Sequence, residues 1–411
     1  MFERTRPVVD PVTIRIDRRE VVAERGEPLA AALLAAGETT LARSPKLHRP
    51  RGPACLRGDC DGCLARVDGV PNVMTCLRPA RGGEEIGTQN VLGSRKTDLL
   101  RLTDWFFPRG IDHHHLMAGI PAVGTLMQTF ARQMAGIGRL PETAEPPHAA
   151  RRIEADVLVV GAGLAGLSCA AALVSAGREV VVVDEQAEPG GSAGWYDPRA
   201  AAARVAVLTA EAKLLSHATM VGYYEKTALI VSEGRATVAA PRVVVLATGA
   251  HDGVVLTEGN DLPGVLSTRA VVALARRGIL PREGAVLIGS GPWSERASEL
   301  LGARVKRRIV EAEVARINGR GRVSAVELKS GEEVACSVVA VELCPAPAFE
   351  LGVQAGAATR AVAGGFALVV DDSGLAAPAV YAAGECTGLA FDAAALIESG
   401  ERVARSILAL Q

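Results

Sequence analysis

The chain has 411 residues and a formal net charge of -1, from 45 Lys and Arg against 46 Asp and Glu; it is 49% hydrophobic but only 3% aromatic. This near-zero charge and the scarcity of aromatic side chains argue against a surface that follows phosphates or stacks bases, so we expect no nucleic-acid partner. The length suffices for two or three domains with large buried cores.

The first region alternates apolar and polar residues over 12–24 around a charged turn, which predicts a β-hairpin. A helix is predicted from Pro28 to a glycine cap at Gly37, followed by a loop and two strands within 65–80. The first ten residues mix charges with proline and lack an apolar signal segment. Every apolar run is shorter than the roughly 18 residues of a spanning helix. We therefore expect a cytoplasmic protein without an integral membrane segment.

Four cysteines in this region have the spacing C-x4-C-x2-C-x12-C. They are Cys55, Cys60, Cys63 and Cys76. The first three match the plant-type ligand run of a 2Fe–2S cluster, and Gly58, Gly62 and Gly69 would let the backbone bend around the sulfides. A zinc site and structural thiols stay open as alternatives, although zinc sites usually carry two separate C-x2-C pairs. The predicted domain is a small α+β ferredoxin-like fold over residues 1–92.

Residues 93–152 show a looser pattern, which predicts a connecting arm with one or two helices packed on a neighbouring surface. The run His113–His115 could suggest a metal site. Adjacent side chains on a helix or strand point in different directions, however, so we interpret the three histidines as surface or interface residues.

A dinucleotide-binding unit is predicted over 153–252. A buried strand at 156–161 leads into the motif G-A-G-L-A-G, then a helix and a second strand that ends in two acidic residues. The helix N-terminus can hold a pyrophosphate, and a carboxylate about 20 residues further on can bind a ribose diol, which favours FAD or NAD over NADP. The E-P-G-G turn that follows can approach the same ligand.

Two later segments favour FAD and place residues 346–411 in the same domain. VVVLATGAH at 243–251 and VYAAGECTG at 380–388 resemble the ATG turn and the late AAG-acid turn of the two-dinucleotide-domain flavoprotein fold. The predicted cofactor-binding residues are Gly161, Gly163, Ala165, Gly166, Asp184, Glu185, Gly190, Gly191, Thr248, Gly249, Gly384 and Glu385.

A second strand–turn–helix unit lies within 253–345. It keeps Gly289 and Gly291, but Ser294 stands where the third glycine would fall, and Trp293 crowds the turn. In this fold the second unit often holds NAD(P)H, yet the lost glycine weakens helix packing. We interpret it as a degenerate NAD-type domain with a structural role, and nucleotide binding stays open as the alternative.

With these residues assembled, the chain resembles the α subunits of heteromeric flavin-dependent amine and amino-acid dehydrogenases: sarcosine oxidase, opine oxidase, hydroxyproline dehydrogenase and hydrogen cyanide synthase. Segments that look like sarcosine oxidase α sequence, in the same order, are KLHRPRG at 46–52, PNV at 71–73, QN at 89–90 and AGIGRLP at 135–141. The resemblance implies an α/β two-dinucleotide-binding-domain flavoprotein with Rossmann-like halves, preceded by the ferredoxin-like domain. The chain departs from sarcosine oxidase α subunits by keeping the four cysteines, as the cyanide synthase and opine oxidase systems do.

The resemblance also implies a function, the relay of electrons between FAD and a 2Fe–2S cluster. Oxidation of a CH-NH substrate of the sarcosine, glycine, proline-derivative or opine type would occur at a flavin in a separate β subunit, and further small subunits could join. No catalytic residue is predicted in this chain. A stand-alone NAD(P)H-dependent reductase stays open, as does a structural subunit that holds NAD, instead of FAD or in addition to it, without turnover. The other cysteines, interpreted as isolated buried residues, are Cys169, Cys336, Cys344 and Cys386.

Overall fold

The computed structural model describes residues 1–44, 47–106, 148–202, 205 and 212–410. The chain divides into two compact units. The first comprises Met1–Ala144, Val254–Ser290 and Ala297–Val341, and the second comprises Glu145–Gly253, Gly291–Arg296 and Glu342–Gln411. The finer division into four domains stays a prediction. Among the described residues, none of the helices combines the length and apolar composition needed to cross a bilayer.

The strands, in chain order, are β1 Phe2–Arg4, β2 Pro11–Ile16, β3 Arg19–Glu24, β4 Ala42–Arg43, β5 Pro50–Arg51, β6 Leu64–Val67, β7 Val70–Met74, β8 Glu85–Gly87, β9 Arg151–Ile153, β10 Val157–Val160, β11 Val180–Val183, β12 Lys213–Leu215, β13 Ala218–Tyr224, β14 Thr227–Ser232, β15 Arg235–Ala239, β16 Val243–Leu246, β17 Ala250–His251, β18 Val265–Ser267, β19 Ile279–Pro281, β20 Ala285–Gly289, β21 Val305–Ile309, β22 Val314–Gly319, β23 Val323–Leu328, β24 Glu333–Ala335, β25 Val338–Glu342, β26 Ala346–Pro347, β27 Thr359–Val362, β28 Gly365–Leu368, β29 Leu375–Ala377 and β30 Val380–Ala382.

The α-helices are α1 Leu29–Ala35, α2 Leu102–Phe106, α3 Leu164–Ser175, α4 Gly191–Tyr196, α5 Thr268–Arg276, α6 Pro292–Leu301, α7 Glu350–Gln354 and α8 Ala393–Leu408. Short 3-10 helices cover Leu99–Arg101, Gly302–Arg304, Glu311–Glu313 and Gly384–Thr387. The described part of the predicted arm therefore contains α2 and one 3-10 helix, whereas His113–His115 lie outside the described residues.

The N-terminal part of the first unit confirms the predicted hairpin and helix. Strands β2 and β3 pair antiparallel around Asp17 and Arg18, whose positive φ angles of 46° and 71° are those of a tight hairpin turn that follows the twist of the strands. They belong to a five-stranded sheet of order β3-β2-β8-β6-β7. Helix α1 begins after Pro28, buries six of its residues, and is followed by Gly37 at φ 84°.

The rest of the first unit is built on a four-stranded sheet of order β18-β25-β20-β21 and a three-stranded sheet of β22, β23 and β24. The N-terminal region is joined to it by contacts that include a strand pairing and a backbone hydrogen bond. Strand β1 pairs antiparallel with β19, so that Phe2 lies opposite Pro281. The amide of Ser267, at the end of β18, donates to the carbonyl of Ala54 at 2.9 Å. The ferredoxin-like part therefore packs against the part of the first unit that contains β18 and β19.

The second unit is centred on a six-stranded sheet of order β12-β11-β10-β16-β30-β29, in which only the β29–β30 pairing is antiparallel. Strand β10 is buried on both faces, as the strands of parallel sheets usually are. Val157 and Val159 pack with α3 and α8, whereas Leu158 and Val160 pack towards the four-stranded sheet of β13, β14, β15 and β9.

Helices α3 and α8 approach each other so closely that only glycine fits at their contact. A Cβ atom at Gly400 of α8 would lie 2.0 Å from the carbonyl oxygen of Ala165 and 3.1 Å from the amide nitrogen of Cys169. Asp392 caps α8 by accepting a hydrogen bond from the amide of Ala395 at 2.8 Å. The contact holds α8 against the helix that follows the first glycine turn.

We expect Gly400→Ala to lower the midpoint of thermal unfolding. Helix propensity alone would add about 1 kcal/mol to stability, but the collision with Ala165 should cost about 1–3 kcal/mol and reverse the sign. Circular dichroism on heating measures the midpoint, with the exposed Arg402→Ala of the same helix as control. A more stable Gly400→Ala variant would show that the two helices are not in close contact.

Candidate functional site

The four predicted cluster cysteines come together at one end of the ferredoxin-like sheet. Cys55, Cys60 and Cys63 lie in the loop between β5 and β6, and Cys76 follows β7. The Sγ atoms of Cys55 and Cys60 are 3.4 Å apart, and the side chain of Cys76 is hydrogen-bonded to those of Cys55 and Cys63. All are buried except Cys60, which is half-buried.

Backbone contacts fix this loop. Gly62 lies so close to the preceding segment that its Cβ would be 2.0 Å from the carbonyl oxygen of Gly52. Gly58 has a φ of 92°, which glycine adopts without strain. The hydroxyl of Thr75 donates to the carbonyl of Cys63 at 2.8 Å and so ties the last two cysteines together. Gly69 was expected at the sulfides but instead lies in the turn between β6 and β7.

The thiols influence one another's protonation. Hydrogen bonds from Cys60 and Cys76 lower the pKa of the Cys55 thiol to about 2, and a hydrogen bond from Cys76 lowers the pKa of Cys63. The pKa values of Cys60 and Cys76 are raised by the same bonds. Thiolates are the ligands that iron–sulfur clusters use, so the donor set fits a 2Fe–2S cluster. Within the described part of the chain, no group of three or more His, Cys, Asp or Glu side chains has the spacing of a metal site, so the donor set alone carries this assignment.

The first dinucleotide turn has the predicted strand–turn–helix geometry, from β10 through Gly161 and Gly163 into α3. A Cβ at Gly161 would lie 2.2 Å from the carbonyl oxygen of Ala247, and one at Gly166 would lie 1.9 Å from that of Gly161. At Gly163, by contrast, no heavy atom of the described residues, its chain neighbours aside, lies within 4 Å of the Cβ position. Gly161 and Gly166 therefore allow the strand, the turn and the helix to pack in close contact. Gly163 leaves space at the helix N-terminus, as a pyrophosphate site requires.

The carboxylate of Asp184 lies against this turn. It accepts hydrogen bonds from the amide of Ala162 at 2.5 Å and from the amide of Gln186 at 2.8 Å. Burial raises the pKa of Asp184, while the two amide bonds act to lower it. Asp184 thus joins the end of the second strand to the glycine turn, and a ribose contact by Asp184 or Glu185 stays a prediction.

The other predicted cofactor residues converge on the same turn. Gly191, at the start of α4, would place a Cβ 3.2 Å from the Cα of Gly163, and the amide of Gly190 donates to the carbonyl of Ala162 at 2.8 Å. Gly384, with φ 81°, would place a Cβ 2.9 Å from that of Ala165. The late turn therefore lies beside the first helix of the motif, and its expected contact with the cofactor stays a prediction.

Two further residues hold these turns in place. The amide of Gly384 donates to the Ser399 hydroxyl at 3.1 Å, a contact the sequence did not reveal because a serine inside a helix carries no distinctive signal. The hydroxyl of Thr248 donates to the carbonyl of Ala348 at 2.7 Å, and Gly249 next to it has a φ of 77°. Glu385 is buried beside Gly384. Thr248 thus has a structural contact, and its predicted role at the cofactor stays a prediction.

The second glycine turn has a different environment. The carboxylate of Glu342, the last residue of β25, accepts hydrogen bonds from the amide of Trp293 at 3.2 Å and from the amide of Ser294. A Cβ at Gly291 would lie 2.3 Å from Glu342 Oε1. Glu342 was missed by sequence reasoning, although an acidic residue directly after the apolar run VVAV at the end of a strand is a signal that could have found it.

Two known protein families match the regions that contain the cysteine loop and the first glycine turn. Residues 9–91 match the family of 2Fe-2S iron-sulfur cluster binding domains, and residues 159–207 match the NAD(P)-binding Rossmann-like domain family. The structure of L-proline dehydrogenase from P. horikoshii has a TM-score of 0.77 at 21% identity, over 99% of this chain and 75% of that one. These matches confirm the predicted fold class, a ferredoxin-like domain followed by a Rossmann-like flavoprotein fold.

Several curated proteins are similar in sequence. The alpha subunit of sarcosine oxidase from Rhizobium meliloti (strain 1021) is 29% identical over 78% of this chain and 38% of its own length. An opine oxidase subunit from Agrobacterium tumefaciens (strain Ach5) is 33% identical over 33% of this chain and 32% of its own. The ferredoxin–NAD(+) reductase component of the biphenyl dioxygenase system of Paraburkholderia xenovorans (strain LB400) is 27% identical over 56% and 66%.

The chain spans well under half the length of the sarcosine and opine oxidase subunits that it matches. It is homologous to these subunits, which confirms the predicted resemblance. The family matches and the flavoprotein fold support a 2Fe–2S cluster and FAD as its cofactors.

We expect Cys60→Ala to abolish the visible absorption of the cluster and the electron paramagnetic resonance signal of the reduced chain, because a thiolate ligand is lost. Iron content per chain measures the loss directly. Cys344→Ala is the matched control, since Cys344 is exposed and remote in sequence from the four thiols. Full iron content in the Cys60→Ala chain would show that Cys60 is not a ligand of the cluster.

We expect Gly166→Ala to weaken FAD binding by about tenfold or more, because the added methyl would push α3 away from the turn. The flavin-to-protein ratio after dialysis and a titration with FAD measure this effect. Ser175→Ala, at an exposed position of the same helix, should leave FAD binding unchanged. Unaltered FAD binding in both variants would show that the close turn is not needed for the cofactor.

Proposed function

We propose that this chain is an electron-transferring subunit of a multi-subunit, flavin-dependent dehydrogenase or oxidase that acts on the CH-NH group of an amine or amino acid. The observation that carries the proposal is the presence, in one chain, of four thiols linked in a series of side-chain contacts and an open glycine turn of the FAD type. Homology with sarcosine and opine oxidase subunits supports a substrate of the sarcosine, glycine, proline-derivative or opine type.

The substrate would be oxidised on a partner, a FAD-dependent β subunit. Conversion of a CH-NH group to an imine releases two electrons and two protons, and the electrons would leave through this subunit to a quinone or a soluble one-electron carrier. When bound, FAD takes up two electrons and releases them singly, whereas a 2Fe–2S cluster carries one. The chain's own contribution is to hold both groups: the turn at Gly163 provides the phosphate cradle, and the four cysteines provide the thiolates.

The remaining cysteines do not offer a competing redox route. Burial raises the pKa of Cys169 to about 12 and the pKa values of Cys336 and Cys386 to about 11, so these thiols stay protonated at neutral pH. Cys344 was expected to be buried but is exposed, and it forms no disulfide. All eight cysteines lie among the described residues and are free thiols in this structure.

A second candidate function is favoured by the similarity to the ferredoxin–NAD(+) reductase component. In that case NAD(P)H would reduce FAD within this chain, and no β subunit would be needed. The candidate requires a working nucleotide site in the second glycine turn, where Glu342 occupies the space beside Gly291. A third candidate, a structural subunit that holds NAD without turnover, requires the first site to carry NAD instead of FAD.

One experiment separates the three candidates. The chain is purified anaerobically, its released nucleotide is identified, and its FAD is photoreduced while the cluster signal is followed by electron paramagnetic resonance. We expect bound FAD and a cluster signal that grows as reduced flavin is consumed. NADH added in the dark should leave the flavin oxidised, and the Cys60→Ala chain should retain reduced flavin.

Each other outcome supports a different candidate. Rapid bleaching of the flavin by NADH would contradict the relay and support the reductase. A colourless chain that releases NAD would support the structural subunit. If the relay is observed, co-purification with the partner and a screen of N-methyl and cyclic amino acids would identify the substrate class.

A further inference from the structure

A carboxylate lies at the second glycine turn, against the N-terminus of the helix that begins there. Helix α6 has ten residues, and its first amides are the donors that the pyrophosphate of a dinucleotide uses. Here the amides of Trp293 and Ser294 donate to the two carboxylate oxygens of Glu342. Glu342 ends β25, which neighbours β20 in the sheet, and β20 leads into this turn.

The first turn of the same chain provides an internal comparison. At Gly163, the second glycine of the first motif, the part of the chain that the structure describes places no heavy atom within 4 Å of the Cβ position, apart from the glycine's own chain neighbours. At Gly291, the second glycine of the second motif, Glu342 Oε1 lies 2.3 Å and Oε2 3.2 Å from that position. The space that remains open for a phosphate in one turn is filled by a carboxylate in the other.

Packing fixes the second turn further. Trp293 is 2% exposed, and its ring lies 5.2 Å from that of Tyr196 and 4.7 Å from that of Phe391, measured between centroids. Tyr196 and Phe391 pack edge-on at 5.1 Å and complete a three-ring cluster. Ser294, at the third glycine position, is fully buried. A pyrophosphate on these amides would have to displace the carboxylate, so the residues present do not fit NAD(P)H.

We propose that Glu342 is a built-in anion that occupies the pyrophosphate subsite of the second turn and closes this half of the fold to NAD(P)H. The negative side chain satisfies the helix N-terminal amides and the positive end of the helix dipole, as a phosphate would. Removal of Glu342 should therefore open a subsite for a pyrophosphate group. This inference does not depend on the proposed relay, since it concerns ligand binding alone.

The test compares the FAD-loaded wild-type chain with Glu342→Ala, Glu342→Gln and the exposed Glu398→Ala control at constant ionic strength. Inorganic pyrophosphate is the first probe and the unfolding midpoint its readout. We expect the Glu342→Ala chain to be destabilised without pyrophosphate and to regain stability with it, with affinity for the anion at least about tenfold above wild type. Glu342→Gln should fall between, because an amide keeps one acceptor but loses the charge.

NADH is the second probe, followed by energy transfer from tryptophan to the nicotinamide while flavin absorbance confirms that the first site stays filled. We expect no saturable binding to the wild-type or Glu398→Ala chains. Saturable NADH binding to the wild-type chain that is lost on altering the second turn would overturn the inference, even if the Glu342 variants failed to fold. Equal pyrophosphate affinity in the wild-type and Glu342→Ala chains would overturn it as well.

Discussion

The second unit depends on a series of backbone contacts too short for any side chain. Gly166 brings α3 onto the carbonyl of Gly161, Gly161 lies against Ala247, and Gly400 brings α8 onto the carbonyl of Ala165. Interiors packed at this density tolerate little added volume, so these contacts fix the position of α3 from both sides. The open space at Gly163, and the Gly384 turn beside it, exist because the helix cannot move away.

The two glycine turns show how one motif can lead to different occupants. Both follow a buried strand and both begin a helix, but what distinguishes them is a residue far away in sequence. In the first turn an acidic side chain, Asp184, accepts from the amide of Ala162, before the helix begins, and from the local amide of Gln186. In the second, Glu342 binds the helix amides themselves. The half-domain that loses its ligand site in this way still supports the ferredoxin-like part, through the Ser267–Ala54 hydrogen bond and the β1–β19 pair.

Much of this arrangement could be predicted from local sequence. The cysteine spacing, the first glycine motif and the late A-A-G-E turn each combine a short motif with a strongly periodic flank, so the strands and turns that carry them could be predicted. The position of the late turn beside α3 came from the structure. The role of Ser399 could not be predicted, because it depends on a contact with Gly384 in another element and a serine inside a helix carries no distinctive signal. Glu342 carried a local signal at the end of an apolar strand, but its partners Trp293 and Ser294 lie many positions away and were not evident from that signal. Strands β1, β4, β5 and β8 were also missed, since they are two or three residues long and are defined by their partners rather than by their own pattern. For Gly69 and Cys344 the expectation from residue type was wrong. Gly69 was expected near the sulfides but lies in the turn between β6 and β7, and Cys344 was expected to be buried but is exposed.

The pairing of β1 with β19 has a consequence for the order in which the protein matures. Translation produces Phe2–Arg4 well before Ile279–Pro281, the strand with which they pair, leaves the ribosome. The cysteine loop is complete long before that point, whereas the Ser267 amide that anchors its Ala54 carbonyl is not. The cysteine loop can therefore bind iron and sulfide before its hydrogen bond to Ser267 can form. The N-terminal region can dock in its final position only after the second half-domain has emerged from the ribosome.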